Sequence, residues 1–384
     1  MRHRSVKWDQ PAGCIGAGIA ESDLGTAPVV RDALHAAVDA GFLTYLPAHV
    51  ALEAEAACAG FYRERLGWDI PDDRVHLVPD VLSALKLTIE LVTEPGSAVI
   101  VPTPAYMPFL TVPPALGREV VQLPMFDTPD GWRYDLAGLD AAFADGAGLL
   151  VLCNPHNPLG TVLEASEMLR IAEVVERHGG RVFSDEIHAP IVYDEARHVP
   201  YASVSPVAAV HTATAIATSK GWNIPGLKAA QIVLTSAADE RLWRRLDPAP
   251  HKLGSILGAV AARAAYSEGR DWLDATVARF RANRDRVASR LAESALPVGF
   301  RMPQATYLAW LDLTAFELGA DGPAAYLRAR GLDVCCGGDC GDVGAGHVRF
   351  NFALEPDVLE TALDRLCAAL AEAPRAAASS RPAA

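Results

Sequence analysis

The chain has no run of eighteen apolar residues, so no membrane-crossing helix is expected. Its start, Met1-Arg2-His3-Arg4-Ser5-Val6-Lys7-Trp8-Asp9, is basic but lacks the apolar stretch of a secretory signal. Cysteines are few, seven in all, an odd and scattered set with no Cys-x-x-Cys spacing. They read as reduced thiols of a cytoplasmic protein. Cys335, Cys336 and Cys340 cluster, but no fourth zinc ligand is evident, so no metal is expected. Positive charge is also short: 34 Lys and Arg against 47 Asp and Glu leave a net charge of −13. That balance disfavours nucleic acid and anionic membranes as partners, yet leaves an anionic small ligand to local charge. There is no internal repeat.

What is present is a 384-residue chain, 51% hydrophobic and 21% charged, long enough for two core-bearing regions. Strand and helix patterns alternate. Strands are expected at 75–78, 98–101, 119–123, 148–152, 181–184, 211–218 and 230–234, with helices at 51–66, 82–92 and 164–178 between them. Gly148-Leu149-Leu150-Val151-Leu152 is apolar throughout, as a parallel strand covered on both faces requires. The alternation implies an α/β fold with a mostly parallel sheet between helices. After about residue 250 the pattern changes to helices at 251–268 and 272–293, then mixed elements to 371. The expected division is a large domain over 45–250 and a discontinuous small α+β domain from 1–44 and 251–372. Residues 373–384 are rich in Ala, Ser, Pro and Arg and read as a disordered tail.

Four loops follow expected strands, where the carboxyl ends of a parallel sheet form a ligand crevice. They carry Tyr106 after Pro102-Thr103-Pro104, Asn157 in Cys153-Asn154-Pro155-His156-Asn157-Pro158, Asp185 in Ser184-Asp185-Glu186-Ile187-His188, and Lys220 in Thr218-Ser219-Lys220-Gly221-Trp222. Singly, each has a plain reading: a packing tyrosine, turn chemistry, a capping or salt-bridged aspartate, a solvated lysine. Together they supply an aromatic to stack, an amide for a ring oxygen, a carboxylate for a ring nitrogen and an amine for an imine. That set makes a site for pyridoxal phosphate, whose partners are a Schiff-base lysine and a carboxylate on the pyridine nitrogen.

On these residues the sequence resembles the fold-type I pyridoxal-phosphate enzymes of the class I/II aminotransferase superfamily, and within it the MalY/PatB-type cystathionine β-lyases. The resemblance runs from about residue 6 to 370 and includes Ala305-Thr306-Tyr307-Leu308-Ala309-Trp310 and His347-Val348-Arg349-Phe350-Asn351. It implies a mostly parallel seven-stranded-type sheet plus a smaller domain. Lys220 would bind the cofactor covalently and move the substrate proton. Asp185 would hold the ring nitrogen protonated, Asn157 would bond the ring oxygen and assist the substrate, Tyr106 would stack, and His188 would stand third after the aspartate. Thr218, Ser219, Lys228 and the amides near Val81 and Leu82 would take the phosphate. Tyr45 would reach the neighbouring subunit's phosphate, so a homodimer is implied. Arg349 would bind the substrate carboxylate, and Ala20 would also contact the substrate.

The implied activity is carbon–sulfur β-lysis of a cystathionine-like or larger S-cysteinyl substrate to thiol, pyruvate and ammonia. Decarboxylating oxidative deamination, transamination, or a protein-binding regulatory role on the same fold are the alternatives. Several positions depart from the family pattern. Ala217 stands for a phosphate-binding serine, leaving Thr218 or Ser219 to replace it, and Asp80 for a glycine of the phosphate loop. Gly18 replaces a tryptophan, Gly221 a larger residue and Cys340 an aromatic, which reads as bulk removed on the substrate side.

Overall fold

The computed structural model describes residues 5–246 and 254–376. The first residues of the helix expected at 251–268, and the 250/251 boundary itself, lie outside the described residues, as do 377–384 of the expected tail.

Seven strands form one sheet in the order Val75–Val78, Ala230–Leu234, Thr212–Ile216, Arg181–Asp185, Leu149–Cys153, Val99–Thr103, Val120–Pro124. Every pairing is parallel except the two made by Ala230–Leu234, which runs against both neighbours. The five central strands are buried over nearly their full length, as expected of a sheet covered by helices on both faces. Helix Val81–Val92 packs on one face in a cluster with Val99, Val151, Phe183 and Ile232. Helix Ala165–Arg177 packs on the other with Ile100, Leu150 and Val182.

A second, antiparallel sheet takes the order Gly299–Phe300, Leu308–Asp312, His347–Asn351, Cys335–Cys336. Helices Arg270–Ser294 and Pro356–Glu372 cover it, with Phe280, Val287, Leu363 and Leu366 in the shared core. The amino-terminal segment joins this unit: Ile15–Gly16 pairs in parallel with Leu332–Asp333. A Cβ on Gly16 would meet Lys7 O at 1.8 Å, so only glycine passes there. Helix Ile256–Glu268, expected in the small domain, instead shares a core with helix Ala48–Leu66 and with Val30 of helix Pro28–Asp39. Its small residues Ala261, Ala262 and Ala265 allow that close approach.

Residues 373–376 of the expected tail are packed against the small unit. Ala373 is buried, Pro374 O accepts from Glu317 N at 2.9 Å, and Arg375 bridges Phe316 with its guanidinium 4.5 Å from the ring centroid. Composition alone carries no sign of that backbone pairing.

Lys7 fixes the amino-terminal strap. Its ammonium is 1% exposed and donates to Asp23 Oδ1 at 3.1 Å, Glu21 O at 3.0 Å and Ala353 O at 3.2 Å. Removing one partner of a buried pair strands the other charge. Lys7→Met is expected to cost on the order of 3–5 kcal/mol in unfolding free energy, read as a lowered urea midpoint. A midpoint unchanged from wild type would show that the strap is not held by this ammonium.

Candidate active site

The carboxyl ends of four adjacent parallel strands supply the site. Val99–Thr103 leads to Tyr106, Leu149–Cys153 to Asn157, Arg181–Asp185 ends on Asp185, and Thr212–Ile216 leads to Lys220. Backbone bonds tie the loops together: Asn154 N donates to Asp185 O, and Glu186 N to Ala215 O, both at 2.9 Å. A cavity of about 180 Å³ opens at this edge, lined by Tyr106, Asn157, Asp185, His188, Ser219 and Lys220 among others. A larger groove of about 580 Å³ lies between Asp127–Arg133 and Gly299–Gln304. No lysine and none of the expected site residues line it, so the chemistry belongs to the smaller cavity.

The strand expected to reach Thr218 ends at Ile216, and Thr218–Gly221 forms a single helical turn carrying Lys220. The Lys220 amine donates to Ala20 O at 2.8 Å, and the Tyr307 hydroxyl donates to the same oxygen at 2.9 Å. Burial, then the Arg349 cation, lower the amine to about 8, against the pull of Glu21 and Asp185. Asp185 is 3% exposed, and its carboxylate accepts only the Ile187 amide, at 3.0 Å, among the described hydrogen bonds. Burial pushes its carboxyl up to about 7, with Glu186 adding to the rise. His188 is also buried; desolvation, then Lys220 and Arg349, keep its imidazole neutral. Its ring meets Tyr307 edge-on at 6.1 Å.

Arg349 sits on His347–Asn351, opposite Trp310, and is 2% exposed. Nη1 donates to Asn157 Oδ1 at 2.9 Å and Nη2 to Gly18 O at 2.9 Å. Asn351 holds the same segment through Ile19 O at 2.6 Å and Glu21 O at 2.8 Å. The strap of residues 17–21 thereby carries Ala20 into the cavity wall. Tyr106 lies edge-on to Phe109 at 5.4 Å, which fixes its ring plane. Val81 and Leu82 open helix Val81–Val92 at the cavity. Of the two hydroxyls offered after Ala217, Ser219 lines the cavity, whereas Thr218 is 1% exposed and outside the lining. Tyr45 is 98% exposed and takes no part in the cavity of its own chain.

Two arrangements were not anticipated. Lys228, which lines the cavity, pairs with Asp80 Oδ2 at 3.0 Å. Asp80 caps helix Val81–Val92 through Oδ1, which accepts Ser83 N and Oγ at 2.8 Å each. Against a burial penalty, Ser83 and then Lys228 hold that carboxyl below its usual range. The supposed loss of bulk does not reach the cavity either. A Cβ on Gly18 would meet Asp333 Oδ2 and Val334 C at 3.2 Å, and one on Gly221 would meet Pro190 Cβ at 3.2 Å and Leu273 Cδ1 at 3.3 Å. Cys340 is fully buried in the cluster of Trp310 and Leu159. None of the three lines the cavity, because sequence alignment gives a position without the direction of its Cα–Cβ bond.

Sequence reasoning gave no role to Tyr307, although it lies in the quoted 305–310 stretch, nor to the Glu186–His198 pair. Glu186 accepts from Ser184 Oγ at 2.8 Å and Tyr201 N at 2.9 Å, and lies 2.9 Å from His198 Nε2, all buried directly behind Asp185.

Several groups here lack a protein partner. Arg349 Nε and His188 Nδ1 are buried without one, and the Asp185 carboxyl lacks a cationic contact. A pyridinium nitrogen would complete Asp185, an aldehyde would take the Lys220 amine, and an amino-acid carboxylate would meet Arg349. The residues present fit pyridoxal phosphate on those grounds. The architecture is that of the fold-type I pyridoxal-phosphate enzymes. The chain belongs to the aminotransferase class I and II family, whose sequence profile matches residues 13–366. It is 39% identical over 368 residues to a cystathionine beta-lyase of Corynebacterium glutamicum, covering 96% of this chain and 97% of that one. It is 30% identical over 380 residues to the cystathionine beta-lyase PatB of Bacillus subtilis, covering 96% and 97%. The crystal structure of a candidate PLP-dependent beta-cystathionase from Corynebacterium diphtheriae superposes with a TM-score of 0.91 at 35% identity, covering 97% of each chain.

Asp185 has a folded-state value above its ordinary 3.8. Its contribution to stability is therefore complete below 3.8 and lost as pH rises through about 7. The difference corresponds to about 4 kcal/mol. Without cofactor, Asp185→Asn is expected to melt at a higher temperature than wild type at pH 8, with the gap closing toward pH 4. Equal melting curves at pH 8 would mean that water or a counter-ion already solvates this carboxylate.

Proposed function

We propose that the chain is a pyridoxal-phosphate-dependent carbon–sulfur β-lyase that splits cystathionine or a related cysteine S-conjugate to a thiol, pyruvate and ammonia. The observation that carries this reading is the half-buried Lys220 amine, lowered to about 8, in one cavity with Asp185, in a chain whose relatives are named cystathionine beta-lyases. Pyridoxal phosphate, when bound, supplies an electron sink for the pair left by Cα–H cleavage. The chain's own groups do the rest. Lys220, lowered to about 8, takes the Cα proton as general base, being largely neutral just above that pH. Asp185 keeps the proton on the ring nitrogen, an arrangement that also satisfies its buried charge. Because Asn157 Oδ1 is engaged by Arg349, its amide NH₂ faces outward as a donor to the ring oxygen. Arg349, whose Nη1 and Nη2 hold Asn157 and Gly18, is the guanidinium offered to the substrate carboxylate. Tyr307 retains Ala20 O when the Lys220 amine departs from it.

With the Cα proton removed, the Cβ–S bond opens and sulfur leaves as thiolate. Burial of the neutral His188 and of Asp185 keeps bulk water from the reacting carbon. The acting form is a cytoplasmic homodimer, in which Tyr45, 98% exposed beside Leu43 at 69%, is covered by the second copy and reaches its phosphate. Lys228, Ser219 and the amides at Val81 and Leu82 take the phosphate in the chain's own site.

Incubation with L-cystathionine, and separately with a bulky S-alkyl-cysteine, tests the reading. Free thiol and pyruvate are expected in equal amounts, with Lys220→Ala lowering the rate roughly 10²- to 10⁴-fold. The small substrate is expected to be the better one, since no bulk is missing from the cavity. A keto acid with the C–S bond intact would sink the lyase reading in favour of transamination, and carbon dioxide release would favour oxidative decarboxylation.

A further inference from the structure

Three cysteines between 335 and 340 take no part in the reaction above, yet two of them lie directly behind the substrate arginine. Cys335 pairs in antiparallel register with Arg349. Its Sγ is 4.0 Å from Met107 Sδ, and Arg349 Nη1 is 4.0 Å from that same sulfur. The single turn Gly337–Cys340 brings Cys340 back over the strand. Cys335 Sγ lies 3.6 Å, and Cys340 Sγ 4.0 Å, from the same Cys336 O. Cys340 is fully buried while Cys335 is partly open. The neighbouring Cys340 thiol, against burial and with help from Arg349, holds the Cys335 thiol down to about 7. Burial pushes Cys14, Cys58, Cys153 and Cys367 the other way. A half-buried thiol that shares one carbonyl with a second thiol and stands opposite an arginine is the arrangement of a reactive pair rather than of packing cysteines.

We propose that Cys335 and Cys340 form a thiol–disulfide exchange site for small organic disulfides, and that closing the pair weakens substrate binding through Met107 and Arg349. The Cys335 thiolate attacks one sulfur of the disulfide, whose S–S bond breaks and releases one thiolate that takes up a proton. The mixed disulfide on Cys335 removes the negative charge that opposes ionisation of Cys340. Cys340 gives up its proton, its sulfur attacks Cys335 Sγ, and the second thiolate leaves. The chain loses two electrons and two protons, and the small disulfide gains both as two thiols. The new bond draws Cys335 Sγ toward Cys340 and off Met107, so the sulfur packed against Arg349 shifts. Reopening consumes two thiols. In this one respect the inference rests on the lyase reading, since C–S cleavage releases the reductant.

The holoenzyme treated with 2-hydroxyethyl disulfide at pH 7.5 is the test, in a Cys336→Ser background so that the linkage is assigned. Expected are the loss of two thiols per chain and a 335–340 peptide lighter by two hydrogens. KM should rise several-fold with kcat retained, and 2-mercaptoethanol should reverse all three changes. Cys340→Ser is expected to stop at one adduct on Cys335. Adducts only on other cysteines would overturn the site, and a linked pair with unchanged KM would overturn its coupling to Arg349. Thiol count and peptide mass do not depend on turnover, so they stand or fall separately from the lyase reading. Binding of a non-reacting amino acid, followed by cofactor absorbance, reports the Arg349 effect even if no C–S bond is cleaved.

Discussion

Two ionisable side chains, the buried Asp185 carboxyl and the half-buried Lys220 amine, are drawn out of bulk water at the carboxyl edge of the large sheet, and the surrounding structure is arranged around that constraint. Desolvation moves the acid up to about 7 and the amine down to about 8, so that near neutral pH each can exchange its proton at little cost. Neither shift arises from a close ion pair between them. Each is set mainly by burial, and the nearest bonds are a backbone amide for the acid and a backbone carbonyl for the amine. A protein holds such groups only where the rest of the fold overrides their preference for water. Here that role falls to the seven-stranded sheet, whose central strands are buried throughout, and to the Glu186–His198 pair, which braces the turn after Asp185 without lending it a counter-charge.

The smaller sheet contributes through one strand and one strap. Arg349 and Asn351 stand on His347–Asn351 two residues apart, so their side chains leave the same face. One grips Gly18 O and Asn157, the other Ile19 O and Glu21 O. Residues 17–21 are thereby held from the small unit while Ala20 O is held from the large one by Lys220. The Lys220 amine ties the two units together, while Tyr307, from the small unit, holds the same oxygen. Ser22, locked on Asn223 at 3.0 Å, extends the strap toward the lysine loop.

Much of this was legible in the sequence, for reasons that differ by element. Apolar runs such as Leu149–Leu152 and the Gly-bounded helices declare themselves because burial on two faces leaves no polar position. Lys220, Asp185, Asn157 and Tyr106 were recoverable because each follows a strand, and strand ends converge without further information. The partnership of Lys228 with Asp80 was not, since it joins residues far apart through side-chain reach. The supposed widening at Gly18, Gly221 and Cys340 failed for a related reason. The position of a residue in a motif does not state which way its side chain would point, and these three point into Asp333–Cys335, into Pro190 and Leu273, and into the core. Helix Ile256–Glu268 carries apolar residues all round, so periodicity left its packing partner undecided.

The Asp80–Lys228 pair bears on how an anion could be held at this end of the cavity. A helix amino terminus offers unpaired amides and a positive dipole end, and a lysine beside it offers a full charge. Asp80 draws on both, accepting Ser83 N with one oxygen and pairing with Lys228 through the other. A phosphate arriving there meets a terminus already capped by a carboxylate, not an open anion hole. Its binding must therefore share or displace the Lys228 contact, and the two negative groups oppose each other across it. Lys228 is 61% exposed on its side chain, so it can turn from one acceptor to the other at small cost. The caps at the two ends of the cavity consequently differ in kind. Around Lys220 the groups are half-buried and fixed by backbone atoms. Around Lys228 they are wet and exchangeable, which suits an end that has only to hold an anion.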